Sequence, residues 1–328
     1  MAKVFKKTQF INTLKEGSFV DDVFVVKIKK GISEYAKGYS FELLLSDNTG
    51  KNLNYKYWGG SDEDKVKNLY SSISHDAIVH VQGMVSIYNG KLQLTTNEPY
   101  IIESLSPDQY DIQDFIKPNK QDMEKMYSNL LKSIGLVQNN DLKSLLENIF
   151  NDEGVAKKFK QHPASIEIHH NWISGLLQHT LEVLKYCMSS ANMFPELDKD
   201  LLITGALLHD IGKLEELVVS SRVKGSTRGQ LVGHLALGLI YVSNKIDEID
   251  GFDEELKNKV LHMITSHHGK IEYGSPKEPM FPEAVTLYYA DEMSSKIAEI
   301  LDFVEQSKDS TEDKFSYNRR HKRNILVG

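Results

Sequence analysis

At 328 residues the chain exceeds the usual size of one domain, so two domains of unequal length are expected. An apolar share of 40% and a charged share of 26% exclude a disordered chain, and no apolar run approaches the roughly 20 residues of a spanning helix, so no membrane partner is expected. A net charge of -7 argues against a surface that embraces nucleic acid on all sides. The charge is unevenly spread. Residues 1 to 105 hold 13 lysines, no arginine and 12 acids, or +1, which leaves -8 for the rest, and the last stretch, KFSYNRRHKRNILVG, is again basic. The N-terminal MAKVFKKTQF has lysines but no apolar stretch of export-signal length after them, so a cytoplasmic location is expected. Cys187 is the only cysteine, which excludes an intramolecular disulfide and a cysteine-rich zinc module and reads as a small buried apolar side chain.

Short alternating segments predict strands over Phe19 to Lys30, Tyr39 to Ser46, Lys51 to Trp58, Ala77 to Tyr88 and Lys91 to Ile102. SDNTG and YNG supply the residues that tolerate the positive φ of tight hairpins. Ser61 to Ser72, SDEDKVKNLYSS, opens with a capping serine and early acids and predicts one helix between strands three and four. Five strands with that interruption resemble an OB-fold, a small barrel whose face on strands two and three often binds single-stranded nucleic acid. Two prolines and little periodicity in SPDQYDIQDFIKPNK mark a linker. Beyond Gln121 the apolar spacing is helical, first at Met126, Leu130, Leu131 and Ile134, then at Leu142, Leu145, Leu146 and Ile149. Later helices are expected over Gly175 to Met188, Lys199 to His209, His234 to Ile246, Glu254 to Ser266 and Pro282 to Phe303. The fold class is therefore multi-domain β + α. It comprises an N-terminal five-stranded OB-fold barrel at 1–105, a linker at 106–124, a C-terminal all-α domain at 125–310 and a basic tail at 311–328.

Nine of the twelve histidines lie between His162 and His268, and that clustering needs a cause. A single histidine is ordinarily a hydrogen-bonded core or surface residue; joint placement changes the reading. His179 sits in GLLQHT, and His209 and Asp210 end an apolar helix in ALLHDIGK. His234 opens the next run, His267 closes another, and Asp291 lies mid-helix in YYADEMSSK. Neighbouring antiparallel helices can deliver such imidazoles and carboxylates to one divalent-metal centre. A polar pair directly after Leu201, Leu202, Ala206, Leu207 and Leu208 would be costly to bury without partners, and coordination would satisfy both members.

Over roughly residues 160 to 305 these motifs, with VGHL, SHHG and ADE, resemble the HD superfamily of metal-dependent phosphohydrolases, which the pattern H…HD…H…H…D identifies. The resemblance implies that the all-α domain is an HD domain in which His179, His209, Asp210 and Asp291 hold one metal. It also implies that His234 and His267 help hold a second, with Asp210 bridging. Two cations would activate the attacking water and neutralise charge developing on the phosphoryl group. His268 is open between ligating, donating to a phosphate oxygen and capping its helix. Lys213 would reach a phosphate oxygen if its helix continues past Gly212, and is otherwise a solvated lysine. His169 and His170 precede the first ligand and either line the substrate approach or are plain loop histidines, His170 being the better substrate contact. Arg222, Lys224 and Arg228 form a basic, glycine-containing loop before His234 that could hold a backbone phosphate or simply be solvated.

An OB-like module beside a phosphohydrolase points to a nucleic-acid chain, gripped by the barrel while its end enters the site. Phe41, Tyr55, Tyr57, Trp58 and Tyr88 are candidates for stacking bases, although alternation sends some of them inward. Lys56 and Trp58 share one face of their strand, and Lys27, Lys29, Lys30, Lys37 and Lys51 add positive charge nearby. The order OB-fold then HD domain, across nearly the whole chain, resembles the YhaM-type 3′-5′ exoribonucleases. That resemblance implies a manganese-favouring hydrolase of phosphodiester bonds. It would shorten single-stranded RNA from the 3′ end, tolerate single-stranded DNA and take part in RNA degradation. Histidine and carboxylate ligands leave iron, cobalt and zinc open beside manganese. A homo-oligomer is compatible with the sequence. Two alternatives stand: an HD phosphohydrolase of free nucleotides with a regulatory OB domain, and a non-catalytic single-strand-binding protein.

Overall fold

A computed structural model describes residues 3–166, 168–307 and 313–328. The chain divides into two compact units, Met1–Pro118 with Val219–Val223, and Asn119–Val218 with Lys224–Gly328. The expected boundary between the helical domain and the C-terminal tail, at 310 and 311, lies outside the described residues.

In the first unit, β1 (Phe19–Tyr35), β2 (Gly38–Ser46) and β3 (Asn52–Trp58) form an antiparallel meander, and α1 (Glu63–Ser72) leads to β4 (Ile78–Tyr88), β5 (Lys91–Asn97) and the short β6 (Ile102–Ser104). Pairing runs β1-β2-β3-β5-β4, with β3 and β5 parallel. β4 also pairs with the first half of β1, Phe19 to Val25, which closes the barrel. β1 serves both neighbours because register shifts between Val26 and Ile28 and between Lys29 and Ile32 bend it, as bulges do. That bend carries β1 past the expected end at Lys30. The last expected strand is split, β5 ending at Asn97 and β6 resuming at Ile102 after Pro99, whose missing N–H cannot join a ladder.

Alternation decides which aromatics can meet a ligand. Phe41, Tyr55 and Tyr57 point inward with Leu43, Leu45 and Leu53 and are buried, Tyr55 fully, so these three are barrel core rather than stacking surfaces. Trp58 and Lys56 face outward and Tyr88 is exposed, while α1, capped by Asp62, seals one end with Val66.

The second unit begins with α2 (Met123–Ile134), α3 (Asn140–Phe150) and α4 (Glu153–Gln161), capped by Asp122, Asn139 and Asp152. α5 (Gly175–Met193) and α6 (Lys199–Leu208) follow, then the single turn α7 (Lys213–Glu216). A small hairpin of β7 (Leu217–Val219) and β8 (Val223–Gly225) leads to α8 (Thr227–Val232), α9 (His234–Asp247), α10 (Glu254–Ser266) and α11 (Pro282–Ser307). The stretch expected as a basic loop is thus largely structured. From Leu201 to Leu208 α6 is buried on every side, the pattern of a central helix, and α5, α10 and α11 pack on it. The C-terminal residues expected as a tail form a hairpin, β9 (Phe315–Asn318) with β10 (Arg323–Leu326). Its turn meets α11, where Arg320 and His321 both contact Glu299.

Candidate metal centre and nucleic-acid interface

The centre is built where α6 stops. His209 is its C-cap and Asp210 follows, both buried. A Cβ on Gly212 would lie 2.1 Å from the His234 carbonyl, so glycine allows this turn to press against the start of α9. α5 contributes His179, α9 begins with His234, α10 ends at His267 as its C-cap, and α11 contributes Asp291. Four imidazole Nε2 atoms surround one carboxylate. Those of His179 and His209 lie 3.5 and 3.3 Å from Asp210 Oδ2, and those of His234 and His267 each lie 3.7 Å from Oδ1. Asp291 Oδ1 is 3.0 Å from His179 Nε2.

The opposite face of each ring explains the orientation. Nδ1 of His209 meets the Ala206 carbonyl at 2.8 Å and Nδ1 of His267 the Ile264 carbonyl at 2.7 Å. For His234 the partner is Glu216 Oε1 at 3.1 Å, and for His179 it is Ser294 Oγ at 3.0 Å. With each Nδ1–H donated outward, all four Nε2 atoms face the centre, where a cation would take the place of the proton that His179 holds between the two carboxylates.

Burial disfavours charge on Asp210, yet Lys213, the imidazoles of His209 and His179 and their hydrogen bonds hold its carboxyl well below the usual range. Asp291 is likewise held down against its burial by His179 and the charges around it. Burial also opposes protonation of His179, but the two carboxylates outweigh it and lift that imidazole to about 9. The site therefore attracts positive charge. Burial dominates at the margins, pushing His268 down to about 3 and His169 down to about 2, so both rings are neutral at pH 7. Among the described residues, Asp210 Oδ1 and His267 Nε2 are buried without a hydrogen-bond partner, although they stand 3.7 Å apart. A buried carboxylate oxygen and an imidazole lone pair, both orphaned and facing each other, fit a divalent cation, which satisfies both at once. Two groups of nitrogen and oxygen donors gathered within 4.8 Å, His179 with His209 and Asp291, and His234 with His267 and His268, flank Asp210 on its two sides.

The six residues expected as ligands are thus brought together. His268 joins them, its Nε2 3.0 Å from that of His234. Lys213 is buried rather than solvated and binds Asp210 Oδ2 at 2.7 Å, because the chain turns at Gly212 and α7 points it back. His170 is buried, with φ +48°, and meets Glu182 at 3.0 Å. Arg228 pairs with Glu215 at 2.5 Å, and Lys224 lies on β8. Within the first unit, Arg222 pairs with Asp76 at 2.6 Å. There too, Lys56 Nζ lies 4.2 Å from the Trp58 ring centroid and 3.4 Å from Glu42, while Tyr35 packs edge-on to Trp58 at 4.8 Å. Glu182, Ser294 and Glu216 were not foreseen. The available signal is spacing, since Glu182 and Ser294 each lie three residues beyond an expected ligand on the same helix.

A closed five-stranded barrel of OB topology joined to a helical domain with this histidine–aspartate centre defines a metal-dependent phosphohydrolase of the HD class, and residues 176–296 match the family model described as HD domain. The chain is 32% identical over 282 residues to the 3′-5′ exoribonuclease YhaM of Geobacillus sp. (strain WCH70), covering 86% of this chain and 83% of that protein. It is 31% identical over 282 residues to the 3′-5′ exoribonuclease YhaM of Bacillus licheniformis, covering 86% of each. The chain belongs to the YhaM 3′-5′ exoribonuclease family. Among solved structures, the OB domain of Ta0387 from Thermoplasma acidophilum is 14% identical with a TM-score of 0.24, covering 32% of this chain and 89% of that one, too slight a likeness to bear on function.

Proposed function

We propose that this chain is a nuclease that hydrolyses phosphodiester bonds of single-stranded RNA from the 3′ end, with single-stranded DNA as a secondary substrate. The observation that carries the reading is the ring of four Nε2 atoms around Asp210, two on each carboxylate oxygen. His179, His209, Asp210 and Asp291 would hold one divalent ion, and His234 and His267 a second shared through Asp210. When bound, such cations supply positive charge for the phosphoryl oxygens and make water more acidic. Manganese is our proposal; the nitrogen and oxygen donor set is equally suited to iron, cobalt or zinc.

The chain's own residues define the rest. Asp210 accepts from Lys213, whose charge keeps the carboxylate ionised and fixed between the two histidine pairs. Neutral His268, beside His234, would offer a hydrogen bond to a phosphoryl oxygen, whereas His170, buried with its Nε2 on Glu182, stands behind the centre and not on the path of the substrate. Water oxygen bonds to phosphorus as the bridging P–O bond breaks, and the proton lost by water leaves on solvent or on the departing oxygen. Outside the centre, Trp58 and Lys56 are proposed to stack a base and meet its phosphate on the outer barrel face, and Arg222, Lys224 and Arg228 to contact the backbone. Among the described residues no helix is long and apolar enough to cross a membrane, and cytoplasmic residence is part of the same proposal.

The test is purified protein incubated with 5′-labelled single-stranded RNA, with and without Mn²⁺, beside Asp210→Ala. A descending ladder that needs Mn²⁺ and vanishes in the variant supports the reading. Intact RNA accompanied by hydrolysis of free nucleotides would replace it with a nucleotide phosphohydrolase.

A further inference from the structure

Of the four imidazoles around Asp210, only His179 rests its Nδ1 on a hydroxyl; the others use backbone carbonyls or a carboxylate, which can only accept. A serine hydroxyl can donate or accept. If Ser294 donated to Nδ1 of His179, the ring would carry its proton on Nε2 and turn an N–H toward the metal site. The surroundings of Ser294 prevent this. Ser294 Oγ donates to Glu182 Oε2 at 2.9 Å, and that carboxylate has no proton to give back. Glu182 is itself held from three sides: His170 Nε2 meets Oε2 at 3.0 Å, Gln178 Nε2 donates to Oε1 at 2.9 Å, and Gln178 is fixed in turn by Trp172 Nε1 at 3.0 Å and Asn119 Nδ2 at 3.1 Å. The three donors outweigh the burial of Glu182 and keep it ionised. Proton order then follows without choice. The Ser294 hydrogen points to Glu182, its oxygen accepts from His179 Nδ1–H, and His179 Nε2, 3.0 Å from Asp291 Oδ1, is the nitrogen left to offer its lone pair when a cation displaces the proton shared there.

We propose that Glu182 is a positioning residue that acts through Ser294 to hold His179 in the tautomer able to bind a metal ion through Nε2. This rests on the metal-centre reading given above. Placement favours it on both helices: Glu182 is one turn beyond His179 on α5, and Ser294 one turn beyond Asp291 on α11, so the two ligands and the two supports meet as facing pairs. His170, in its left-handed backbone conformation, donates its Nε2 proton to the same Glu182 oxygen and locks the carboxylate against rotation.

The test is Mn²⁺ affinity of the full chain, by titration calorimetry at pH 7.5, which needs no turnover. Glu182→Met removes the acceptor and frees the Ser294 hydrogen, and should weaken Mn²⁺ binding about 10- to 100-fold, the range for lost partners of a ligating histidine. Glu182→Gln, whose carbonyl still accepts from Ser294, should stay within about threefold of wild type, and it carries the test if the methionine variant does not fold. Ser294→Ala removes the reversible hydroxyl, and adding Glu182→Met to it should then cost nothing further, because the two act in series. Unchanged affinity in Glu182→Met, or losses that multiply in the double variant, overturns the proposal while leaving the metal centre standing. Wild-type protein that takes up no Mn²⁺ overturns the metal centre itself, and this proposal with it.

Discussion

Lys213 offers a sharp perturbation because it is the cation nearest Asp210 and is itself buried. Lys213→Met keeps the length and the apolar stem and removes the charge. At 2.7 Å and an effective dielectric of about 20, the attraction is roughly 6 kcal/mol before the cost of stripping water from the lysine. Breaking one side of a buried pair typically costs about 3–5 kcal/mol, and the imidazoles of His179 and His209 remain to share the load, so about 3 kcal/mol is expected in metal-free protein. For a unit of this size that is a fall in Tm of roughly 6–12 °C. A divalent cation would supply the missing charge, so saturating Mn²⁺ should recover most of the loss. Thermal melts of wild type and variant, each in EDTA and in Mn²⁺, read both effects. A variant as stable as wild type in EDTA, or one that Mn²⁺ does not rescue, would refute the view that Lys213 neutralises a carboxylate otherwise committed to metal.

Three further outcomes follow from the geometry. Trp58→Ala should weaken binding of a long single strand by about 1–3 kcal/mol, seen in filter binding or anisotropy, and leave a dinucleotide unaffected; equal loss on both would dismiss the outer barrel face as the grip. Cys187 is fully buried, and burial with the nearby charge of Asp291 pushes its thiol up to about 12, so a disulfide reagent at pH 8 should label it only after denaturant is added. Glu182 is held at about 2 by His170, Gln178 and Ser294 against its burial, so its contribution to stability is present above pH 4.5 and is lost as pH falls toward 2. Glu182→Gln should accordingly flatten the fall of Tm between pH 4.5 and 2 in metal-free protein, and an unchanged profile would remove Glu182 from the acid response.

What could be read from sequence followed periodicity. Strict alternation in Phe41, Leu43 and Leu45 and in Leu53, Tyr55 and Tyr57 marked the barrel strands, and the same rule put Lys56 and Trp58 outside. The bend that lets β1 pair on two sides left no such mark, because a bulge is a shift in register and not in residue type. The β7–β8 hairpin and α8 are each too short to show a period, so the segment SSRVKGSTRGQLVGH read as loop, and α7 is too short to show whether the helix before Lys213 continues. Four residues of the centre, His209, Asp210, His234 and His267, were legible because they stand at helix ends where an apolar pattern breaks off, and His179 and Asp291, inside α5 and α11, were legible from their motifs. Their supports were not: Glu182 and Ser294 look like ordinary polar helix residues until α5 and α11 are placed side by side. Lys213 illustrates the same limit, since its direction depends on a turn that only the close approach of Gly212 to His234 explains.

The central claim is that divalent cations sit on both sides of Asp210. Crystals soaked in Mn²⁺ and measured at the manganese absorption edge should give two anomalous peaks, one among His179, His209 and Asp291 and one beside His234 and His267, with Asp210 touching both. Peaks elsewhere, or none at this carboxylate, would contradict the account.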